Sequence, residues 1–278
     1  MSGEWNSITL LISITAAILA FGISLLAYAT KIASLSGIVA LFIVFAGSYL
    51  AFGLPGYAYA AIILAGSSLV TKFRYETKKK KGIAEPGRGA RDFWRIMGGA
   101  GAGCLVAWVT VGGVLGNHVG GCGFAVSLAI TNSDTWASEI GILSRNKPRL
   151  SVPPWQHIDA GVSGAVSALG EVAGVAGVLF AVLASYGIGL LGTGFSVLLA
   201  AVLIAILGEH LDSFIGALLQ ESYFCVNCSE YTDRRIHSCG AATKPVRGLR
   251  FVTNTRVNFI STLLGGLVAI LVVGALSR

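Results

Sequence analysis

The sequence predicts an all-α polytopic membrane protein of about eight transmembrane helices, with both termini non-cytoplasmic and large basic cytoplasmic loops. Three observations predict it. Hydrophobic residues make up 54% of the 278 and charged residues only 12%, whereas a soluble domain carries roughly 25% charge. Apolar tracts of about 20 residues, enough to cross a hydrocarbon core, recur along the chain. Basic residues gather in the turns between alternate tracts.

The tracts cover 7–28, 33–52, 54–71, 97–117, 119–142, 160–184, 187–207 and 258–277. Segment 208–220 either extends the seventh span or forms a short re-entrant or interfacial helix. The first tract lacks a basic leading segment and is followed at once by others, so it reads as a retained helix and not a cleaved signal. Of the 20 Lys and Arg, nine lie between Lys72 and Arg95, three between Arg145 and Arg149, and six between Arg234 and Arg256. Lys31 sits in the first turn. With eight spans these positions share one side, and the positive-inside rule makes that side cytoplasmic. The opposite turns, Gly53–Pro55, Gly116–His118 and Ser185–Gly187, are very short. The net charge of +7 belongs to the loops, and no nucleic-acid partner is expected. The protein reads as multi-pass, in the plasma membrane if the cell is prokaryotic.

Residues 1–71 are almost free of charge and read as scaffold helices or a wall around a lipid tail. Residues 72–278 carry the chemistry. The tract Gly121–Leu143 contains Asn132, Ser133, Asp134, Thr135, Ser138 and Glu139, and the tract Val197–Gln220 contains Glu209, His210, Asp212 and Ser213. A carboxylate at the centre of a spanning helix costs about 2.5–3.5 kcal/mol on insertion scales, so it faces a cavity, a partner or a cation. Asp134 and Ser138 share a helix face at i, i+4, and Glu209 and Asp212 share one at i, i+3. Glu139 lies about 140° round the axis from Asp134. No Lys or Arg lies inside a span to pair with these acids, so the cation comes from a loop or from solution. Mg²⁺ bound by carboxylates, water and substrate phosphates fits this pattern, with Asp134, Glu139, Glu209 and Asp212 as expected ligands. Asn132 and Ser133 read equally well as polar contacts between helices. The sixth tract repeats small residues from Gly161 to Gly177, a packing face with Glu171 at its edge about three turns in.

The loop 72–95 holds Lys78-Lys79-Lys80-Lys81-Gly82 and Gly87-Arg88-Gly89-Ala90-Arg91. The Lys78–Lys80 run reads as a topogenic stretch touching anionic lipid. Arg88 and Arg91, beside glycines and a helix start, suit a phosphate clamp, because guanidinium forks match phosphate oxygens. In the last loop, 222–256, Cys225-x-x-Cys228 and His237-x-Cys239 supply a complete tetrahedral donor set with zinc-like spacing. A closed set of four argues for structural Zn²⁺ and against catalysis.

The blocks Lys81-Gly82, Gly89-Ala90-Arg91, Thr131–Gly141, Gly161–Gly170, Leu211–Gln220 and Asn254 with Val257-Asn258 together resemble one membrane family. That family includes the phytyl-phosphate kinase of plant vitamin E synthesis and relatives in archaea, bacteria and animals. The match covers about 72–275. The zinc-like cluster is not expected across the family, and Arg256 stands where a smaller or neutral residue is expected, which makes it a candidate phosphate contact. The resemblance implies transfer of a phosphoryl group from a nucleoside triphosphate, CTP favoured, onto an isoprenyl monophosphate such as a phytyl, geranylgeranyl or longer polyprenyl phosphate. It implies catalytic roles for Asp134, Glu139, Asp212 and Arg91, and substrate contacts from Lys81, Arg88, Arg91, Asn132, Ser133, Ser138 and Asn258. Expected partners are these two substrates and membrane lipid, with room for a homodimer. The alternative is a secondary transporter or cation channel with an intramembrane acidic ion site, although both acid blocks lie on spans running the same way and so form no inverted repeat.

Overall fold

The computed structural model describes residues 2–192 and 194–276, and the side chains of 7–85, 87–192 and 194–276. It is mostly helical: α1 (Ser2–Ala29), α2 (Leu35–Lys72), the short α3 (Tyr75–Lys80), α4 (Phe93–Val111), α5 (Asn117–Gly141), α6 (Ala168–Gly187), α7 (Phe195–Leu219) and α8 (Asn254–Leu276). Six of these are long and apolar enough to cross a membrane: α1, α2, α4, α6, α7 and α8. The all-α expectation needs amending. Strands β1 (Arg149–Leu150) and β2 (Ala165–Val166) pair in one loop, and β3 (Ser222–Cys225), β4 (Glu230–Thr232) and β5 (Lys244–Arg247) form an antiparallel sheet in order β4-β3-β5 in another.

Helix α2 is folded in two. Gly53 takes φ 63° and ψ −151°, outside the helical region and open to a residue without Cβ. The ring centroids of Phe45 and Tyr57 then lie 5.2 Å apart, although twelve residues of straight helix would separate them by about 18 Å. Pro55 suits the first turn of the second arm, where a missing N–H goes unnoticed. The arms 35–52 and 54–72 therefore match the two separate tracts read from the sequence.

Helix α5 is the hub. It packs against α2, α4, α6, α7 and α8, and Gly120–Ser133 are buried throughout. It is less apolar than its neighbours because they, not lipid, surround it. Small residues admit it closely: a Cβ at Gly208 or Gly265 would collide with the Ile130 side chain, and one at Gly177 would sit 3.1 Å from the Ser133 backbone. Its hydroxyls bond across the bundle, Thr131 Oγ1 to the Gly99 carbonyl at 2.7 Å and Ser127 Oγ to the Thr262 carbonyl at 3.0 Å. Helix α1, by contrast, packs on α2 alone among elements in substantial contact and leaves Leu10, Leu11, Ile18 and Leu26 exposed, as a lipid-facing helix would.

The sixth tract is shorter than expected. Its helix begins at Ala168 after a Ser167 cap whose hydroxyl accepts from the Gly170 N–H at 3.1 Å. Residues 161–167 lie outside the helix, in the loop segment that carries β2, so Glu171 lies in the first helical turn and not three turns in. Gly164 in that loop has φ +73° and lies against the Ala217 backbone of α7, where an added Cβ would come within 2.5 Å. The segment 208–219 continues α7, so it extends the seventh span without a re-entrant break. Substitution Gly164→Ala should therefore destabilise the protein by about 1–3 kcal/mol through left-handed backbone strain and this clash. Thermal unfolding in detergent, compared with Gly113→Ala at an open positive-φ turn, reads the steric part: equal losses would mean that the contact with α7 contributes nothing.

Candidate active site

One end of the bundle brings together Asp134, Asp212, Glu209, His210 and Glu171. It is built from the C-terminal halves of α5 and α7, the first turns of α6 and α8, and the loop following α2. Ladder-like bonds tie the loop there: Arg91 N–H donates to the Ile32 carbonyl at 2.9 Å, Ser34 N–H to the Arg91 carbonyl at 3.0 Å, and Lys72 Nζ to the Thr30 carbonyl at 2.8 Å.

Asp134, half-buried on α5, accepts through Oδ2 from Asn258 Nδ2 of α8 at 2.9 Å. Asp212, buried on α7, accepts through Oδ2 from Ser261 Oγ of the same α8 face at 2.7 Å. Asn258 and Ser261 sit at i, i+3, so one helix face holds both carboxylates. Glu209 precedes Asp212 by one turn of α7, at i, i+3. Among the described residues, no hydrogen bond reaches the second oxygen of Asp134 or Asp212, and the buried Asn258 Oδ1 has no partner. Hard carboxylate oxygens are the donors that Mg²⁺ prefers, and among the described residues Asp134 and Asp212 each keep one oxygen free of a hydrogen bond.

Beside this centre, His210 bridges two acids, with Nδ1 3.0 Å from Glu209 Oε2 and Nε2 3.2 Å from Glu171 Oε2. The three groups offer converging ligand atoms. Glu171 and His210 border a cavity of about 910 Å³ lined also by Arg145, Lys147, Arg149 and His157, and by Ser167 at the start of α6. Among the described residues Arg145 and Arg149 have no side-chain hydrogen bond or ion pair. Lys147 lies 3.6 Å from Asp159. Two free guanidinium groups in a cavity next to a helix N-terminus suit an anionic phosphate chain. In the sequence this cluster registers only as a topology signal, because its neighbours in space come from α6 and α7.

Glu139 departs from its expected role. Its carboxylate binds Lys78 Nζ at 2.5 Å, and the same ammonium donates to the Val70 and Thr71 carbonyls at 3.2 and 2.8 Å. Both side chains are buried. Lys78 is thus no topogenic surface lysine; α3 turns it inward while Lys79 and Lys80 face out. The loop supplies the cation that the spans lack, and Glu139 becomes an anchor for the loop. Arg91 reaches Thr135 Oγ1 at 3.5 Å. Loss of water lowers the affinity of its guanidinium for a proton, while Glu85, Glu139 and Asp134 raise it.

The remaining expected contacts divide. Asn132 is fully buried, with Oδ1 accepting from Ser67 and Nδ2 donating to the Gly177 carbonyl, and Ser133 donates to the Gly174 carbonyl. Both are committed to packing and are not presented to a substrate. Ser138 is exposed and bonds its own helix. Arg88 is exposed, and among the described residues Lys81 bonds only the Ile142 carbonyl, at 3.5 Å. Arg256 donates to the Phe251 carbonyl, closing its own loop. The quartet Cys225, Cys228, His237 and Cys239 does come together, with ligand atoms all within 4.8 Å.

Comparison with known proteins agrees with the resemblance drawn from the sequence. Residues 18–266 match the family described as integral membrane protein DUF92. The chain belongs to this integral membrane family. Among its relatives, the uncharacterized membrane protein MJ0933 of Methanocaldococcus jannaschii is 27% identical over 204 residues, 73% of this chain and 70% of the relative. Protein VTE6, chloroplastic, of Arabidopsis thaliana is 28% identical over 208 residues, 73% of this chain and 54% of the relative. Protein PGR of the same plant is 28% identical over 166 residues, 55% and 51% respectively, so the chain spans about half the length of these two plant relatives. No solved structure matches.

Removing Lys78 leaves a buried carboxylate without its partner, a change that costs about 3–5 kcal/mol, whereas removing both members of a buried pair is far milder. Lys78→Met should therefore lower thermal stability in detergent strongly, Lys79→Met by less than about 0.5 kcal/mol, and the double change Lys78→Met with Glu139→Gln should recover most of the loss. A double variant no better than Lys78→Met alone would show that the pair is not what the lysine supports.

Proposed function

We propose that this protein transfers the terminal phosphoryl group of a nucleoside triphosphate, with CTP favoured by the resemblance, to an isoprenyl monophosphate at the cytoplasmic membrane face. The proposed frame has eight crossings: α1, the two arms of α2, α4, α5, α6, α7 and α8. The basic loops at the active-site end mark it as cytoplasmic by the positive-inside rule, which leaves both termini on the other side. Family membership supports a kinase-type enzyme, through the plant phytyl-phosphate kinase that the sequence resembles.

One observation carries the reading: Asp134 and Asp212 are bonded to one face of α8, with Glu209 one turn before Asp212 on α7, at a bundle end that also holds Arg91 and the basic cavity. The acceptor is a phosphate monoester whose second pKa is about 6, so it arrives largely as the nucleophilic dianion and needs no strong base. One of its oxygens attacks the terminal phosphorus, the bond to the bridging oxygen breaks, and the nucleoside diphosphate leaves with that oxygen. The difficulty is repulsion between two polyanions, and positioning with charge stabilisation is what enzymes of this class provide. Arg145 and Arg149 would hold the donor phosphates. Arg91, with Arg88 and Lys81 nearby in sequence, would hold the acceptor phosphate. Asn258 and Ser261 fix the orientation of the Asp134 and Asp212 carboxylates. Mg²⁺, held by these two acids and Glu209, would neutralise charge on the phosphates that meet there. The isoprenyl tail would lie along the apolar helices.

Purified protein supplied with labelled nucleoside triphosphates and a panel of isoprenyl phosphates tests the reading directly. Asp134→Asn and Asp212→Asn should each lower turnover by at least about 100-fold with expression and thermal stability nearly intact. Activity close to the parent in both would refute the acid centre. Nucleotide-independent, acid-dependent ion uptake into vesicles would favour the transporter instead.

The two halves of the site should separate kinetically. Arg149→Ala should raise the Michaelis constant for the nucleotide, and Arg91→Ala that for the isoprenyl phosphate, each by about tenfold or more, the weight of one charge-assisted contact. Equal effects on both constants from each change would show that only bulk positive charge matters.

A further inference from the structure

The last cytoplasmic loop carries chemistry that the proposed reaction does not use. Cys225 ends β3, Cys228 lies in the turn to β4, and His237 and Cys239 lie at the tip of the segment between β4 and β5. Cys225 Sγ and Cys239 Sγ are 3.7 Å apart, and His237 Nδ1 is 3.2 Å from Cys239 Sγ. A sulfur–sulfur separation of 3.7 Å is far too long for a disulfide. It equals the edge of a tetrahedron whose centre lies about 2.3 Å from each sulfur, the zinc–thiolate distance. The other ring nitrogen of His237, Nε2, faces Glu230 Oε2 at 3.4 Å, the outer-shell carboxylate that commonly orients a metal-binding imidazole. The tip is closed by Gly240 at φ +85° and by the His237 N–H to Ala241 carbonyl bond at 2.9 Å, so both ligands of the second pair are held by backbone.

The sheet around this quartet also grips a distant part of the chain. Arg234 Nη2 donates to the Ala84 carbonyl at 2.9 Å and its Nη1 to the Gly82 carbonyl at 3.4 Å. Gly82, at φ +73°, lies against Ser238, where an added Cβ would come within 2.7 Å of the hydroxyl. Arg234 and Ser238 bracket His237, and Gly82 follows Lys78 by one helical turn. On the other flank, Tyr231 N–H donates to Asp159 Oδ2 at 2.9 Å, and Asp233 accepts from the Ser163 N–H at 2.9 Å.

The geometry points to a zinc-bound clip. One Zn²⁺ held by Cys225, Cys228, His237 and Cys239 orders the sheet β3–β5, and the sheet, through Arg234 and Ser238, clamps residues 82–84 and so fixes the loop that carries Lys78 against Glu139. All four positions of the metal are filled by protein, which leaves none for water or substrate. Without the cation three thiols crowd one spot, so metal binding and ordering of the sheet are one event. The inference does not depend on which reaction the bundle catalyses.

The test uses the full chain purified in detergent without chelator. Elemental analysis should find about one zinc per chain, and Cys228→Ser and Cys239→Ser should reduce it at least tenfold. Less than about a tenth of an equivalent of zinc in the parent, with Cys225, Cys228 and Cys239 all alkylated while the helices remain folded, would overturn the site, as would a full equivalent of another metal. The clamp is read by limited trypsin digestion at Lys79–Lys81. Stripping zinc from the parent protein should speed cleavage there at least tenfold, and zinc added back should restore protection. Arg234→Gln should keep its zinc yet show the same faster cleavage. Unchanged protection of Lys79–Lys81 after zinc removal, or in Arg234→Gln, would overturn the coupling even if the metal is present.

Discussion

A carboxylate cannot face hydrocarbon, and the arrangement of the bundle follows from that constraint. Helix α5 carries Asp134 and Glu139 together with five hydroxyl or amide side chains from Ser127 to Thr135, more polarity than a lipid-facing helix tolerates. It therefore sits at the centre, surrounded by α2, α4, α6, α7 and α8. Glycines on the neighbours let it approach closely enough for direct bonds from Thr131, Asn132 and Ser133 to backbone carbonyls. The strongly apolar helices take the perimeter. Burial of α5 makes its acids costly, and each acid is then matched by a partner from another element: Lys78 of α3 for Glu139 and Asn258 of α8 for Asp134.

The two acid environments differ in a way that matters for chemistry. Glu139 is bound to a buried ammonium whose other two donors go to the Val70 and Thr71 carbonyls, so its charge has a countercharge beside it. Asp134 and Asp212 are each held through one oxygen by neutral donors, beside the orphaned Asn258 Oδ1. Neutral partners fix the orientation of these carboxylates without supplying a countercharge. The closed pair serves to anchor the loop that brings Arg91 beside Thr135. Structure and chemistry thus share one end of the bundle, with Glu139 and Asp134 only five residues apart on α5.

Part of this arrangement is legible in the amino-acid sequence. Spans of membrane length, the acid tracts and the cysteine-histidine quartet all follow from local patterns, because each depends on residue type and short spacing. The folded-back α2 is legible too, since Gly53 and Pro55 break the apolar run where the chain reverses. The sixth tract misleads, because Gly161–Ser167 has the small-residue composition of a packed membrane helix. Those small residues instead allow a loop to lie on α7, with Ser163 bonded to Gln220 and Gly164 against Ala217. Composition records close approach there without distinguishing a helix from a loop.

From the sequence alone came the class of the protein, its family and the acids that must be shielded, since hydrophobic run length and isolated charges are local properties. Only the tertiary structure decided which charges meet. Lys78, Lys79 and Lys80 are indistinguishable as letters, yet one is buried on Glu139, because the phase of a six-residue helix at the foot of α2 turns that side chain inward. Arg145 and Arg149 became lining residues of a cavity only when α6 and α7 closed its other walls. Pairing across 61 residues is a matter of packing geometry. No local pattern encodes it.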